Sequence, residues 1–361
     1  MSTNAMAEHV YRTRRMEYQD FNGVISSGPL SLCQGDPRKF LQFDAKINVT
    51  QADGSESVER ILGWADARLK TLMMGIPRNL FIDCTFYCVP REGGFSQCLI
   101  VMFYEGVTKK YIPVFYILIG SKLQKVYKTV LYLLKQSCNF DLTVLSKTCD
   151  FEKGLMNAIE DELVPEDAPH IGCLFHFLKA LRDYMLFWGI PVVLVNQLSS
   201  MMRLLTEIPI ADIKTKGIIT SVLGRGRWFI GLISLLGIPY LRSKTEEGTF
   251  VEVFNKFWRY FVKTWIKTYK PEYWNVFGVE DRAMVNRTNN ALERFNGIMK
   301  SNFSTAHPNM SAFVTTIREM SADYAQEYTS ILLGHTKKGK HGKSSAFEFP
   351  ADYEDFVAAE L

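Results

Sequence analysis

Three runs rich in β-branched and aromatic residues follow one another closely: NLFIDCTF at 79–86, QCLIVMFY at 97–104 and YIPVFYILIG at 111–120. Charged or glycine-bearing stretches, Arg91 to Gly94 and Glu105 to Lys110, separate them. Runs of this length and spacing predict three strands in an antiparallel meander. From Lys122 to Ser137 the period becomes helical, through Leu123, Val126, Tyr127, Val130, Leu131, Leu133 and Leu134. A strand over 142–145, a helix over 152–163, a short buried strand over 171–175 and a helix over 176–187 continue the chain. The predicted order β-β-β-α-β-α-β-α describes an α/β fold, a mixed five-stranded sheet covered by helices.

The flanks are patterned differently. Val58, Ile61, Leu62, Ala65, Leu69 and Leu72 fall near one helical face and predict a helix over 57–74. Residues 1–56 are expected to be a poorly defined lead-in. Residues 188–272 are rich in Leu, Ile, Trp and Phe and read as a mainly helical insertion, followed by a last core helix over 285–300. The expected organisation is a core in two parts, 57–187 and 273–330, interrupted by that insertion. A tail, 331–361, carries a basic patch at Lys337, Lys338, Lys340 and Lys343, then five acids and no base from Glu348 to Glu360. That composition predicts disorder.

Composition narrows the class. The 361 residues are 47% hydrophobic and 22% charged, which is globular and excludes both a disordered chain and a membrane protein. With 42 Lys and Arg against 38 Asp and Glu, the net charge of +4 excludes a uniformly basic protein but not a local basic face. One uncharged run, Trp228 to Leu241, has 14 residues and contains Pro239. A spanning helix needs about 20, so this run reads as core and no membrane is expected as partner. Charges precede any apolar stretch at the N-terminus, so no secretory signal is expected. Seven cysteines, an odd number, read as free thiols of a reducing compartment.

Three acids stand out. Asp83 lies among Leu80, Phe81 and Ile82, where an ionised carboxylate is costly unless paired or metal-bound. A strand-end turn is the plain alternative for it. Asp150 follows the strand LTVL and precedes a helix, where an N-cap is the plain alternative. Glu293 shares a helical face with Asn289, Asn296 and Lys300, while Leu292, Phe295 and Met299 face the other way. A solvated face explains Glu293 alone. Together, two strand-end aspartates and a helical glutamate can converge on two divalent cations, for which hard oxygen ligands suit Mg²⁺ or Mn²⁺. Two such ions can activate a water or a 3′-hydroxyl and stabilise the leaving oxygen of a phosphodiester. In the ribonuclease-H fold the first and fourth strands lie adjacent and supply that geometry.

IDCTF at 82–86, PVFYILIGSK at 113–122, CDFE at 149–152 and GCLFH at 172–176 occur in the order and spacing of one family. RTNNALERFN at 287–296 and HPN at 307–309 extend the match. Over about 57–320 the chain resembles Mutator-like (MULE) transposases. The resemblance implies an RNase-H-like DDE recombinase with Asp83, Asp150 and Glu293 as catalytic residues and ligands of two Mg²⁺ or Mn²⁺ ions. It implies double-stranded DNA, both transposon ends and target, as partner, a homo-oligomer on that DNA, and a nuclear location. Residues 188–272 occupy the place of the family's insertion. Cys84 departs from the small residue usual there. The alternative from another class is a domesticated derivative that binds DNA or chromatin without transposing; an RNase-H-like nuclease on RNA–DNA hybrids fits the three acids but not the long insertion.

Cys173 and His176 match a C-x-x-H pair of the family, and Asn289 and Asn290 precede its glutamate. Two ligands do not close a zinc site, which wants four, so Cys173 reads as a buried strand residue and His176 as the start of a helix. Between Lys214 and Lys300 there are 15 bases and 7 acids. Arg225 and Arg227 in GRGRW, with Arg287 and Lys300, are candidate phosphate contacts. The interleaved Trp228, Trp258, Trp265 and Trp274 read mostly as core. No Cys/His set ahead of Asp83 resembles the zinc-binding recognition domain that related transposases commonly carry.

Overall fold

The computed structural model describes residues 28–50, 53–163, 168–213, 259–277 and 290–337, with residues 23, 253, 256 and 257 besides. The chain divides into two compact units, Met1–Pro169 with Asn289–His341 and His170–Thr288 with Gly342–Leu361. The strands are β1 Leu41–Thr50, β2 Glu56–Ala65, β3 Arg78–Thr85, β4 Gln97–Glu105, β5 Lys110–Ile119, β6 Val144–Cys149 and β7 His170–Gly172. Among the described residues the sheet therefore has seven strands, in the order β1-β2-β5-β4-β3-β6-β7. It is mixed: β3, β4 and β5 form the expected antiparallel meander, and β3 pairs with β6 in parallel.

The expectation of five strands is corrected by β1 and β2, which pair antiparallel with each other and extend the sheet beyond β5. The first half of the predicted helix over 57–74 is a strand, and only α1, Ala67–Met73, is helical. Ile61, Leu62, Trp64 and Ala65 are all fully buried. A continuous apolar run covered on both faces has no period of two, so its pattern does not distinguish strand from helix. β6 also runs four residues beyond the predicted strand, because Ser146, Lys147 and Thr148 are buried polar residues. Ser146 Oγ donates to Asn79 Oδ1 at 2.8 Å, and Lys147 Nζ donates to the Leu163 carbonyl at 2.9 Å. Satisfied in this way, polar side chains lie inside a sheet without the desolvation penalty that makes them rare there.

One face of the sheet carries α2, Gln124–Ser137, and α3, Lys153–Glu162. The other carries two helices from the end of the chain, Asn290–Asn302 and Met310–Leu332. Leu292, Phe295 and Met299 are buried in one cluster with Phe81, Trp64 and Tyr116 of the sheet. Trp64 meets Phe313 edge-on at 5.6 Å and Tyr116 lies 6.1 Å from Phe295.

The second unit has its own aromatic core. Phe177 stacks on Trp274 at 5.0 Å and meets Trp265 edge-on at 4.8 Å. Both tryptophans are buried, as expected for core; Trp228 and Trp258 lie outside the described residues. Within 188–272 the described residues include helices at Val192–Leu204 and Ile210–Asp212 and a π-helix at Val262–Thr268. The seven cysteines carry free thiols. Among the described residues no helix is long and apolar enough to cross a membrane.

Gly154 fixes the approach of α3 to the loop before α2. A Cβ there would stand 2.5 Å from the Lys122 carbonyl oxygen, a backbone atom that cannot move aside. Gly154→Ala is expected to destabilise the first unit by about 2 kcal/mol through overpacking. Urea unfolding measures this, and an unchanged midpoint would contradict the close packing.

Candidate functional site

β3 and β6 pair with Phe81 opposite Thr148 and Ile82 opposite Cys149. Asp83 and Asp150 each follow that last pair by one residue, Asp83 inside β3 two residues before its end and Asp150 just beyond the end of β6. Neighbouring strands lie about 4.8 Å apart, so the two backbones come within about 5 Å of each other there. Residues in register on parallel strands share a face, as the hydrogen bond between Ser146 and Asn79 demonstrates four residues earlier. Alternation carries that face through Phe81 and Thr148 to the two aspartates. β3 is also where the strand order reverses, with the meander on one side and β6 on the other. In open α/β sheets the crevice at such a point, beyond the strand ends, is where ligands bind.

Asp83 is buried, 6% exposed. Its Oδ1 accepts the Cys84 amide at 2.9 Å, and Asn296 Nδ2 makes a long contact with its Oδ2 at 3.4 Å. Asp150 is half-buried, and its Oδ1 accepts the Phe151 amide at 2.6 Å. It is not an N-cap: α3 begins at Lys153 with Glu152 in the cap position. Nor is Asp83 a turn residue, since it pairs with Ile100 inside the β3–β4 ladder.

Asn296 comes from the helix Asn290–Asn302, which also carries Glu293 three residues earlier, one turn along the same face. The side chains of Glu293 and Asn290 lie outside the described residues, as do Asn289, Arg287, Arg225 and Arg227 altogether. Lys300, one turn further on, is exposed with its Nζ 5.3 Å from the centre of the Tyr87 ring. The polar face read from the sequence therefore meets the end of β3 at Asn296 and Lys300. Cys173 and His176 belong to the second unit: Cys173 is buried at the N-cap of the helix Leu174–Phe187, and His176 lies in its first turn.

The opposite face at the same strand ends holds a polar network that the sequence did not reveal. Tyr127 hydroxyl accepts from Gln97 Nε2 at 2.8 Å and donates to Glu152 Oε2 at 3.4 Å. Cys84 Sγ lies 4.0 Å from that hydroxyl, and Lys122 pairs with Glu152 at 3.1 Å. Burial pushes the Cys84 thiol up, and the Asp83 charge beside it adds to the shift. Burial also raises the Tyr127 hydroxyl, with Cys84 and Glu152 contributing. Both groups stay neutral at ordinary pH. The one sequence signal for this network was Gln97, a polar residue opening a fully buried strand.

Carboxylates that approach one another repel unless a cation or a shared proton balances them. Asp83 and Asp150 present hard oxygens, and Asn296 Oδ1 is buried with no hydrogen-bond partner among the described residues. This donor set fits Mg²⁺ or Mn²⁺. Among the described residues no three His, Cys, Asp or Glu side chains group to hold a metal ion, a set that does not include the Glu293 side chain. Comparison with family models finds no match to the chain, and comparison with curated proteins finds none either.

Asp150→Asn keeps the Phe151 contact and removes one of the two charges. In chelator it is expected to raise the stability of the first unit by on the order of 1 kcal/mol. Wild type should gain about 1.4 kcal/mol in Mn²⁺ at ten times its dissociation constant, and the variant clearly less. Thermal unfolding in EDTA and in Mn²⁺ measures both, and equal responses of the two proteins to Mn²⁺ would remove the cation site.

Proposed function

We propose that the chain is a DDE-type DNA transposase of the Mutator-like kind, with an RNase-H-like core formed by β3 to β7 and the helices around them. The observation that supports this reading is the parallel pairing of β3 and β6, whose last pair, Ile82 and Cys149, immediately precedes Asp83 and Asp150. The helix of Glu293 packs over the same end through Asn296. Two carboxylates and a third acid one helical turn away are what metal-assisted phosphoryl transfer requires.

When bound, two Mg²⁺ or Mn²⁺ ions supply positive charge for the developing oxyanions and lower the cost of deprotonating the attacking water or 3′-hydroxyl. Asp83 and Asp150 would hold these ions, and Glu293 would complete the set. Asn296 holds the Asp83 carboxylate against rotation. Cleavage at the element's end and attack of the freed 3′-hydroxyl on target DNA are both in-line substitutions at phosphorus, so no group on the protein becomes covalently attached. Joining two ends requires at least a dimer on double-stranded DNA, and chromosomal DNA places the work in the nucleus.

The test is nicking and strand transfer on DNA carrying the element's flanking repeats, with Mg²⁺ or Mn²⁺. Asp83→Asn, Asp150→Asn and Glu293→Gln should each lower the nicking rate at least about a hundredfold, or about 2.7 kcal/mol, with DNA binding retained. Wild-type protein that binds this DNA tightly and never cuts it would sink the transposase and leave the domesticated DNA-binding protein.

A further inference from the structure

The chain beyond Asp83 makes a turn that is tied down unusually well. Val89 N–H donates to the Phe86 carbonyl at 3.2 Å, closing it. The segment 307–310 then clamps it from outside. His307 N–H donates to the Tyr87 carbonyl at 2.9 Å, and His307 Nδ1 lies 3.1 Å from the Val89 carbonyl. Arg91 N–H donates to the Pro308 carbonyl at 3.2 Å. His307 itself adopts a positive φ of 50°, which costs a non-glycine residue energy and is held here by these contacts. Asn309 caps the next helix through the Ala312 amide at 2.8 Å.

This clamp leaves Phe86 49% exposed. Phe86 is three residues past Asp83, within about 10 Å along the chain. Lys122 Nζ stands 5.6 Å from the centre of the Phe86 ring, and Lys300 Nζ stands 5.3 Å from that of Tyr87. One lysine precedes α2 and the other belongs to the helix Asn290–Asn302, so each face of the sheet contributes one. Among the described residues the acids here include Asp83, Asp150, Glu152, which pairs with Lys122, and Glu92, which accepts the Met310 amide at 3.2 Å.

We propose that this rim binds an unpaired nucleotide of the DNA beside the phosphate to be cut, its base stacked on Phe86 and the flanking phosphates on Lys122 and Lys300. This deepens, and rests on, the transposase proposal. An apolar ring fixed in water next to lysines matches a nucleotide's two halves, a π-face and an anion. A base inside a duplex offers no free face, so the site selects DNA that is open at that point. The HPN segment positions the ring and does not touch the base.

The experiment uses the full chain and three labelled oligonucleotides of one sequence: a paired duplex, the same duplex with a three-nucleotide unpaired stretch, and the single strand. Binding is read by anisotropy in Ca²⁺, and nicking of the same DNAs in Mn²⁺. Wild type should bind the opened duplex at least about tenfold more tightly than the paired one. Phe86→Ala should lose that preference, Phe86→Trp should keep it, and Lys122→Ala or Lys300→Ala should weaken both complexes alike and flatten their salt dependence. Unchanged thermal midpoints exclude misfolding. Equal affinity of wild type for paired and opened DNA, or a preference that survives Phe86→Ala, overturns the rim. If nicking persists and still needs Asp83, the transposase proposal survives that failure. A preference for opened DNA with no nicking supports the rim and overturns the transposase; absence of all DNA binding overturns both.

Discussion

The register between β3 and β6 is the constraint on which the site depends. Side chains alternate across a strand, so a slip of one residue would send Asp83 and Asp150 to opposite faces of the sheet. Several contacts hold the register, and none of them involves the aspartates. Ser146 Oγ donates to Asn79 Oδ1 three pairs before the end of the ladder. Arg78 N–H donates to the Thr143 carbonyl where the ladder begins. Lys147, fully buried, is anchored through Nζ to the Leu163 carbonyl, 3.7 Å from Glu160, and through N–H to the Pro169 carbonyl. These interactions hold β6 in place beside β3 without help from the aspartates.

The helix Asn290–Asn302 meets that end for a different reason. Leu292, Phe295 and Met299 form a stripe at spacings of three and four, and all three are buried against Phe81, Trp64 and Tyr116. Burying that stripe fixes the rotation of the helix. Asn296 and Lys300, one step round, are then carried to the edge of the interface beside β3 and the turn after it. Apolar packing therefore positions polar groups.

Much of this was legible in the sequence, and the failures have physical causes. The meander was visible because β3, β4 and β5 are apolar runs bounded by polar turns. The two aspartates were visible because a charge inside or just after such a run has few structural explanations. The Asn296 and Lys300 face was visible from helical spacing alone. β1 and β2 were missed because the burial of consecutive residues Ile61 and Leu62 erases the period of two, and because β1 carries charged residues such as Asp44 and Lys46 along an edge. The end of β6 was missed because its buried residues are polar and their partners, Asn79 and Leu163, are remote in sequence. The network of Gln97, Tyr127, Glu152 and Lys122 joins four segments, and no single window of sequence contains it.

The same logic explains why the two sides of the strand ends are anchored separately. On one side Gly154 allows α3 to approach the Lys122 carbonyl closely, which sets the Lys122–Glu152 pair beside Phe86. On the other, His307 and Pro308 grip the turn after β3 through its backbone, so the hold does not depend on which side chains the turn carries. A backbone clamp tolerates an exposed Phe86 without asking that ring to contribute to stability. Residues whose exposure the fold does not need, held by backbone contacts just past Asp83, are better explained by what they contact than by what they stabilise.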